Sequence, residues 1–79
     1  MTADTIKKGI RKALKKKDII VNRIAFHGVI KKEKDVDGIM KMTLTLDSIG
    51  GVELDRLKMA VDDYLDECNI NYYGILLDI

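Results

Sequence analysis

The spacing of apolar residues changes near residue 17, and this change limits the fold more than any other feature of the sequence. Before it, apolar side chains recur at helical spacing and fall on one side: Ile6, Ile10, Ala13 and Leu14. Residues 18–32 are rich in β-branched side chains, and over residues 39–47 apolar and polar residues alternate, as is typical of strands. The pattern therefore predicts an amphipathic helix of about four turns followed by two strands.

The second half of the chain repeats the helix-to-strand change once. Ser48-Ile49-Gly50-Gly51 interrupts the pattern, and a helix is predicted from about residue 52 to residue 68. Its apolar side is formed by Leu54, Leu57, Val61, Tyr64, Leu65 and Cys68. Asn69 is suited to a left-handed helix stop, and the remaining residues form a last strand. The predicted element order is α-β-β-α-β.

Length and composition describe an ordinary small globular domain. The sequence has 79 residues, of which 47% are apolar and 34% charged, so we expect one domain over residues 1–79 with one small core. No apolar run approaches the roughly 18–20 residues of a membrane span, and the first 18 residues are too charged for a signal peptide. Cys68 is the only cysteine and cannot form a disulfide within the chain, which favours a cytoplasmic location.

The hairpin between the first two strands has two possible registers. A two-residue turn at Asp37-Gly38 would set Lys34 opposite Lys41 and apolar residues opposite charged ones, which is unfavourable. A register with Phe26 opposite Leu46 and Ile30 opposite Met42 aligns the apolar residues. We therefore expect this second register, with a loop over roughly residues 33–39.

The predicted fold class is α+β: a three-stranded mixed sheet with two helices on one face. The last two strands flank a helix, so we expect them to be parallel. Strand alternation places one apolar set beneath the helices: Ile24, Phe26, Ile30, Met40, Met42, Leu44 and Leu46. The opposite face, which two helices cannot cover, receives the second set: Val21, Ala25, Val29 and Ile39, with either Tyr73, Ile75 and Leu77 or Tyr72 and Leu76.

An uncovered apolar face usually marks an interaction surface. We therefore expect the protein to self-associate through this sheet face or through an edge strand, most simply as a dimer. The candidate contact residues are Val21, Ala25, Val29, Ile75 and Leu77.

Charge is distributed unevenly along the chain. Residues 1–46 hold 12 Lys and Arg against 5 Asp and Glu, a net of +7, and residues 47–79 hold 2 against 8, a net of −6. Seven of the cations lie within KKGIRKALKKK, residues 7–17. Like charges one turn apart cost about 0.2–0.5 kcal/mol per pair in an isolated helix, so this face is either solvated or met by anions.

Two sources of anions are available to the basic helix. Nucleic-acid phosphate is one, and the candidate phosphate contacts are Lys8, Arg11, Lys12 and Lys15. The other is the end of the second helix, which carries a candidate acidic partner surface: Asp62, Asp63, Asp66 and Glu67. Lysines of the first helix can meet these carboxylates; otherwise the acidic surface is open to a basic partner.

A set of acidic positions resembles the minimal nucleotidyltransferases. His27-Gly28 is followed by Asp35-Val36-Asp37, then by a long helix and a strand carrying Asp78. In that family a Gly-Ser turn positions phosphate, a D-x-D pair binds metal and a third carboxylate comes from a later strand. The resemblance implies a metal-dependent role for Asp35, Asp37 and Asp78, although Val29 stands where the family has serine.

Taken together, the sequence favours a non-enzymatic interaction module: a small regulator, adaptor or inhibitor that acts by binding protein. Nucleic-acid binding by the first helix is the alternative, and a degenerate nucleotidyltransferase is a distant third. The sequence contains no nucleophile motif, phosphate-binding loop or paired-cysteine metal motif. We therefore expect no catalytic residues, no metal site and no cofactor.

Overall fold

The computed structural model describes residues 2–32, 35–46 and 54–78. Its elements are α1 (Ala3–Lys15), β1 (Val21–Lys32), β2 (Asp35–Leu46), α2 (Leu54–Glu67), β3 (Asn71–Tyr72) and β4 (Ile75–Asp78). The predicted α+β class and the α-β-β-α-β order are confirmed. The predicted last strand is divided at Tyr73 and Gly74 into β3 and β4.

Strand β2 occupies the middle of the sheet. It pairs antiparallel with β1 on one side, and parallel with β3 and β4 on the other. Because α2 connects β2 to β3, the parallel pairing is the crossover that the element order predicts. The mixed sheet is therefore confirmed, and the open edges of its described part are β1 on one side and β3 with β4 on the other.

Both helices end in the same left-handed cap. Asp18 after α1 has a φ of 60°, and Asn69 after α2 has a φ of 59°. The next residue in each case, Ile19 or Ile70, donates its backbone N–H to the carbonyl five residues earlier, at 3.0 and 2.9 Å respectively. This is the Schellman arrangement, and both isoleucines are buried. The predicted helix stop at Asn69 is confirmed.

The two helices lie on one face of the sheet and form a single core with it. The helices contribute Ile6, Ile10, Leu14, Leu57, Ala60, Val61 and Leu65. The strands contribute Val21, Ile24, Ile39, Met42, Leu44 and Leu46. The predicted inward placement of Ile24, Met42, Leu44 and Leu46 is confirmed, because each is at most 5% exposed.

On every described strand of the sheet, the alternation of inward and outward side chains shifts by one residue, and the shift occurs at the same position along each strand. Consecutive inward residues are normally two apart along a strand. At this level they are three apart on each strand: Phe26 and Val29 on β1, Ile39 and Met42 on β2, Tyr72 and Ile75 across the β3–β4 break. The break in the last strand is thus part of an irregularity that the neighbouring strands share.

Gly28 marks this level on β1. Its φ is +68°, a left-handed conformation that residues with a side chain rarely adopt. A Cβ at this position would lie 2.9 Å from the Cβ of Met40 on the facing strand. The backbone conformation and the close approach of β2 both require glycine here.

These irregularities correct the predicted composition of the two sheet faces. A register shift between Val21 and Arg23 turns Val21 inward, where it is 3% exposed. Four other residues expected on the second face pack on the core side: Val29, Ile39, Ile75 and Leu77. Two residues expected beneath the helices are instead exposed: Ile30 at 50% and Met40 at 49%. Strict alternation was wrong because it allows neither a bulge nor a three-residue step.

The predicted hairpin register is also wrong. Phe26 pairs with Met42 rather than with Leu46, and strand pairing continues out to Lys32 and Asp35. Residues 35–39 therefore belong to β2 and not to a loop; residues 33 and 34 lie outside the described part of the chain. The observed register aligns apolar pairs along the hairpin, including Val29 with Ile39. It was missed because alternation had placed Val29 and Phe26 on opposite faces.

Candidate interaction surfaces

Within the described residues, no element covers the sheet face opposite the helices, and several large apolar side chains lie on this face. By register, Ala25, Thr43 and Leu76 form one row across β1, β2 and β4. Large apolar side chains on this face are exposed: Ile30 (50%), Met40 (49%), Tyr73 (70%) and Leu76 (49%). We call the surface formed by Ala25, Ile30, Met40, Thr43, Tyr73 and Leu76 the outer face. Of the five predicted contact residues, Ala25 lies on it, whereas Val21, Val29, Ile75 and Leu77 lie on the core side.

Polar and charged side chains lie beside and within the outer face. Arg23, Thr45 and Asp78 form the next row, with the two charged residues at its opposite ends. His27 lies opposite Lys41, and its Nε2 is 3.2 Å from the Thr43 hydroxyl. Lys41 and Thr43 belong to the central strand β2, so polar side chains lie within this sheet face as well as around it.

The four predicted phosphate contacts, Lys8, Arg11, Lys12 and Lys15, are all exposed on α1. They fall within an arc of about 100° on the helix surface and therefore share one face of α1. Arg11 is turned toward β1, where its Nη2 donates to the backbone oxygen of Asn22 at 3.3 Å. We call these four residues the basic face.

Between α1 and α2 lies a groove of about 320 Å³, which we call the interhelix groove. Lys12, Lys16 and Lys17 line it from the α1 side, and Asp63 and Glu67 from the α2 side. Lysines of α1 and carboxylates of α2 thus line the same groove, although the described residues form no direct ion pair there. Electrostatic attraction across solvent contributes little to the free energy of unfolding.

The floor of the interhelix groove depends on Tyr64 and Gly9. The Tyr64 ring lies directly against Gly9, so that a side chain at residue 9 would overlap the ring. Burial raises the pKa of Tyr64 to about 12, with further contributions from Cys68 and from the negative charge of Glu67. The tyrosine is therefore a neutral packing contact between the helices at physiological pH.

A larger groove of about 610 Å³ lies between α2 and the edge formed by β3 and β4. Leu57, Ile70, Ile75 and Leu77 line its apolar part, and three carboxylates line its α2 wall: Asp55, Asp62 and Asp66. We call it the acidic groove. The predicted acidic surface is therefore divided, because Asp63 and Glu67 face α1 while Asp62 and Asp66 face β4.

Tyr72 holds one of these carboxylates in place. Its hydroxyl donates a hydrogen bond to Asp62. Burial raises the pKa of Tyr72, and the hydrogen bond to Asp62 and the charges of Asp62 and Asp66 raise it further. Tyr72 thus stays protonated and fixes Asp62 beside the mouth of the groove.

The acids that resemble a nucleotidyltransferase site do not come together. Asp37 is eight residues before Thr45 on β2, and Asp78 pairs with Thr45. At about 3.3 Å per residue the backbones of Asp37 and Asp78 are therefore about 26 Å apart, too far to share a metal ion. The side chains of Asp35 and Asp37 lie outside the described part. Among the residues that can be described, no group of three or more His, Cys, Asp or Glu is arranged to hold a metal ion.

Several residues of these surfaces were missed by reasoning from the sequence. Met40 and Ile30 were assigned to the core because they fit strict alternation. For the last strand, the sequence analysis gave two alternative sets of residues for this face, one with Tyr73 and one with Leu76. The break at Gly74 places both residues on the outer face. The separation of the four acidic residues of α2 into two directions, by contrast, could have been predicted from the sequence. Residues four apart share one side of a helix, so two such pairs offset by one residue point in different directions.

Comparison with protein-family models, with curated proteins and with solved structures finds no match to this chain. Over its described residues, the chain is therefore classed by its fold and surfaces: a small α+β domain that has an uncovered sheet face, the interhelix groove and the acidic groove. In the described residues, neither helix has the length and apolar character needed to cross a membrane.

Proposed function

We propose that this protein is a non-enzymatic interaction module, a small cytoplasmic regulator or adaptor that works as a homodimer through its outer face. The observation that supports this function is the cluster of exposed apolar side chains on an uncovered sheet face. Four large apolar residues there are at least 49% exposed: Ile30, Met40, Tyr73 and Leu76. Contiguous apolar patches of this kind are uncommon on monomers without an interaction role.

A second copy of the chain is the occupant that best fits the charges on the face. Two sheets that pack face to face run nearly parallel to each other. A twofold axis along β2 then places the β1 side of one copy over the β4 side of the other, at the same level along the strands. Arg23 of each copy comes to lie opposite Asp78 of the other, because both occupy the row of Thr45. The two charged ends of one row thereby form two ion pairs.

The same axis also matches small residues with large ones. In the next row Ala25 of one copy faces Leu76 of the other. At the level of the parity change, Gly28 faces Tyr73. Interdigitation of large with small side chains is what close packing between two sheets requires.

The size of the face predicts a weak dimer. Residues 71–78 along the edge and three strands across give a surface of about 26 by 14 Å, which is below the roughly 800 Å² per partner of a standard interface. Lys41 of each copy also lies close to the twofold axis, so the two ammonium groups face each other. Each must turn away from the axis toward solvent. We therefore expect dissociation constants in the micromolar range, so that monomer and dimer coexist at ordinary laboratory concentrations.

Sedimentation equilibrium over about 10 µM to 1 mM tests the dimer, with Leu76→Glu as the disrupting variant. In the proposed dimer the introduced carboxylate of each copy would be buried against Ala25 of the other, and we expect a monomer with an unchanged circular dichroism spectrum. Met59→Glu is the matched control, because Met59 is 63% exposed on α2, away from the outer face. A wild-type monomer at all concentrations, or a dimer that persists in Leu76→Glu, would rule out this interface.

Nucleic-acid binding by the basic face is the second candidate. Lys8 and Lys15 are exposed and line neither groove, so their charges are free of α2. Phosphate contacts need cations of this kind. Lys12 is less available, since it faces Asp63 and Glu67 across the interhelix groove.

A further inference from the structure

The acidic groove runs beside an unpaired strand edge. In the described sheet β4 pairs with β2 only, so its other edge has no strand next to it. The groove is bounded by this edge on one side and by α2 on the other, and its volume is about 610 Å³. A single extended segment fits between a strand edge and a helix, and adding a strand to an open edge is a recurring mode of peptide recognition.

The backbone of β4 is oriented to accept another strand. In a parallel ladder, alternate residues direct both their N–H and C=O groups toward the same neighbour. The carbonyl of Gly74 accepts the backbone N–H of Met42 at 2.9 Å, so Gly74, Leu76 and Asp78 face β2. The backbone groups of Ile75 and Leu77 consequently face the open edge, and their side chains line the groove.

The wall of the groove selects the charge of the segment. Asp55, Asp62 and Asp66 line it, against one cation, Lys58. A second copy pairing edge to edge would bring two such walls together, which like charges disfavour. A cationic side chain instead can lay its aliphatic stem on Ile75 and Leu77 and place its charge at the carboxylates.

We infer that the acidic groove binds an extended peptide segment with Lys or Arg at alternate positions, which adds to β4 as a further strand. One set of its side chains points into the groove and meets the acidic wall. The other set continues the line of the outer face at its margin. The backbone hydrogen bonds to Ile75 and Leu77 supply the attachment, and the alternation of charge supplies the selectivity.

Fluorescence anisotropy with labelled synthetic peptides tests this site. An alternating Lys-Thr heptapeptide should bind, whereas a peptide of the same composition with all its lysines together should bind at least about fivefold more weakly. Two N-methylated forms of the alternating peptide, methylated at every lysine or at every threonine, test strand addition. We expect one form to lose binding and the other to keep it, because only one set of N–H groups faces β4.

Matched charge reversals on α2 locate the contact. Asp66→Lys should weaken binding about tenfold, whereas Glu67→Lys, an equal change of charge one residue on, faces α1 and should weaken it less than threefold. In nuclear magnetic resonance spectra, the amides of Ile75 and Leu77 should shift and become protected on peptide addition. Equal binding of both N-methylated forms, or equal loss in both variants, would mean non-specific attraction and overturn the inference. Protection of those two amides before peptide is added would show that a second copy occupies the edge, which also overturns it.

The groove and the proposed dimer share Tyr73, which lines the groove and also belongs to the outer face, whereas Leu76 does not line the groove. The peptide titration is therefore repeated with Leu76→Glu. Binding retained by a monomeric variant supports the groove, whatever the outcome for the homodimer.

Discussion

Exchanging the charges of Arg23 and Asp78 tests the geometry of the proposed dimer. A twofold axis repeats every contact, so each dimer carries two of these pairs. An exposed ion pair contributes about 0.2–1 kcal/mol, and two contribute about 0.4–2 kcal/mol. Arg23→Asp removes both attractions and creates two repulsive pairs of similar size. We therefore expect the dimer to weaken by about 0.8–4 kcal/mol, which corresponds to a roughly 4- to 700-fold increase in Kd.

Sedimentation equilibrium of the wild type, both single variants and the double variant measures these changes. Asp78→Arg should weaken the dimer as much as Arg23→Asp does, and the double variant should recover to within about threefold of wild type, because the exchanged pair has the same separation. The loss in each single variant should shrink at about 500 mM salt. Arg56→Asp, an exposed change on α2, controls for net charge. A double variant no tighter than either single variant would refute the twofold arrangement about β2.

Three other predictions test the helix layer. Gly9→Ala should lower the free energy of unfolding in the wild type, because the new methyl group displaces the Tyr64 ring; in a Tyr64→Ala background it should raise it by about 1 kcal/mol through helix propensity. Urea denaturation decides, and equal effects in both backgrounds would contradict the contact. The raised pKa of Tyr64, about 12 against 10.0, means that the folded state holds the phenolic proton more tightly. Stability should therefore be unaffected below pH 10 and fall as the pH rises toward 12, less steeply in Tyr64→Phe, as followed by thermal unfolding. Nucleic-acid binding by the basic face predicts anisotropy changes with RNA or DNA at about 50 mM salt that weaken steeply at 200 mM and vanish in Lys8→Glu/Lys15→Glu; no binding at low salt would exclude that function.

Local patterns were sufficient to predict the elements and the layer arrangement. The Ile6, Ile10 and Leu14 stripe identified α1, and Asn69 identified the end of α2, because both depend on residues within one or two helical turns. The alternation of Met42, Leu44 and Leu46 identified β2 for the same reason. Element order then gave the parallel crossover, since few connections between such elements are available.

The composition of the outer face depends on interactions between strands and could not be predicted in the same way. Gly28, Met40 and Gly74 each permit an irregularity, but each is compatible with regular strand geometry when considered alone. The three-residue step is favourable only when neighbouring strands make it together, because the ladder would otherwise lose hydrogen bonds. A one-residue change of parity moves every later side chain to the other face, and this explains how Val29 and Ile75 were assigned to the wrong side.

The shared form of the two helix ends has a consequence for motion. Ile19 and Ile70 each belong to a helix cap, to the core and to the approach of a strand at Val21 or Asn71. A helix joined to its strand in this way cannot tilt without unpacking an isoleucine and breaking a cap. We therefore expect the helix layer and the sheet to fluctuate as one rigid body, with the amide protons of Ile19 and Ile70 exchanging only through global opening in native-state hydrogen exchange. On binding a partner, we would then expect side chains and the strand edge to change conformation, while the backbone geometry of the helices and sheet stays constant.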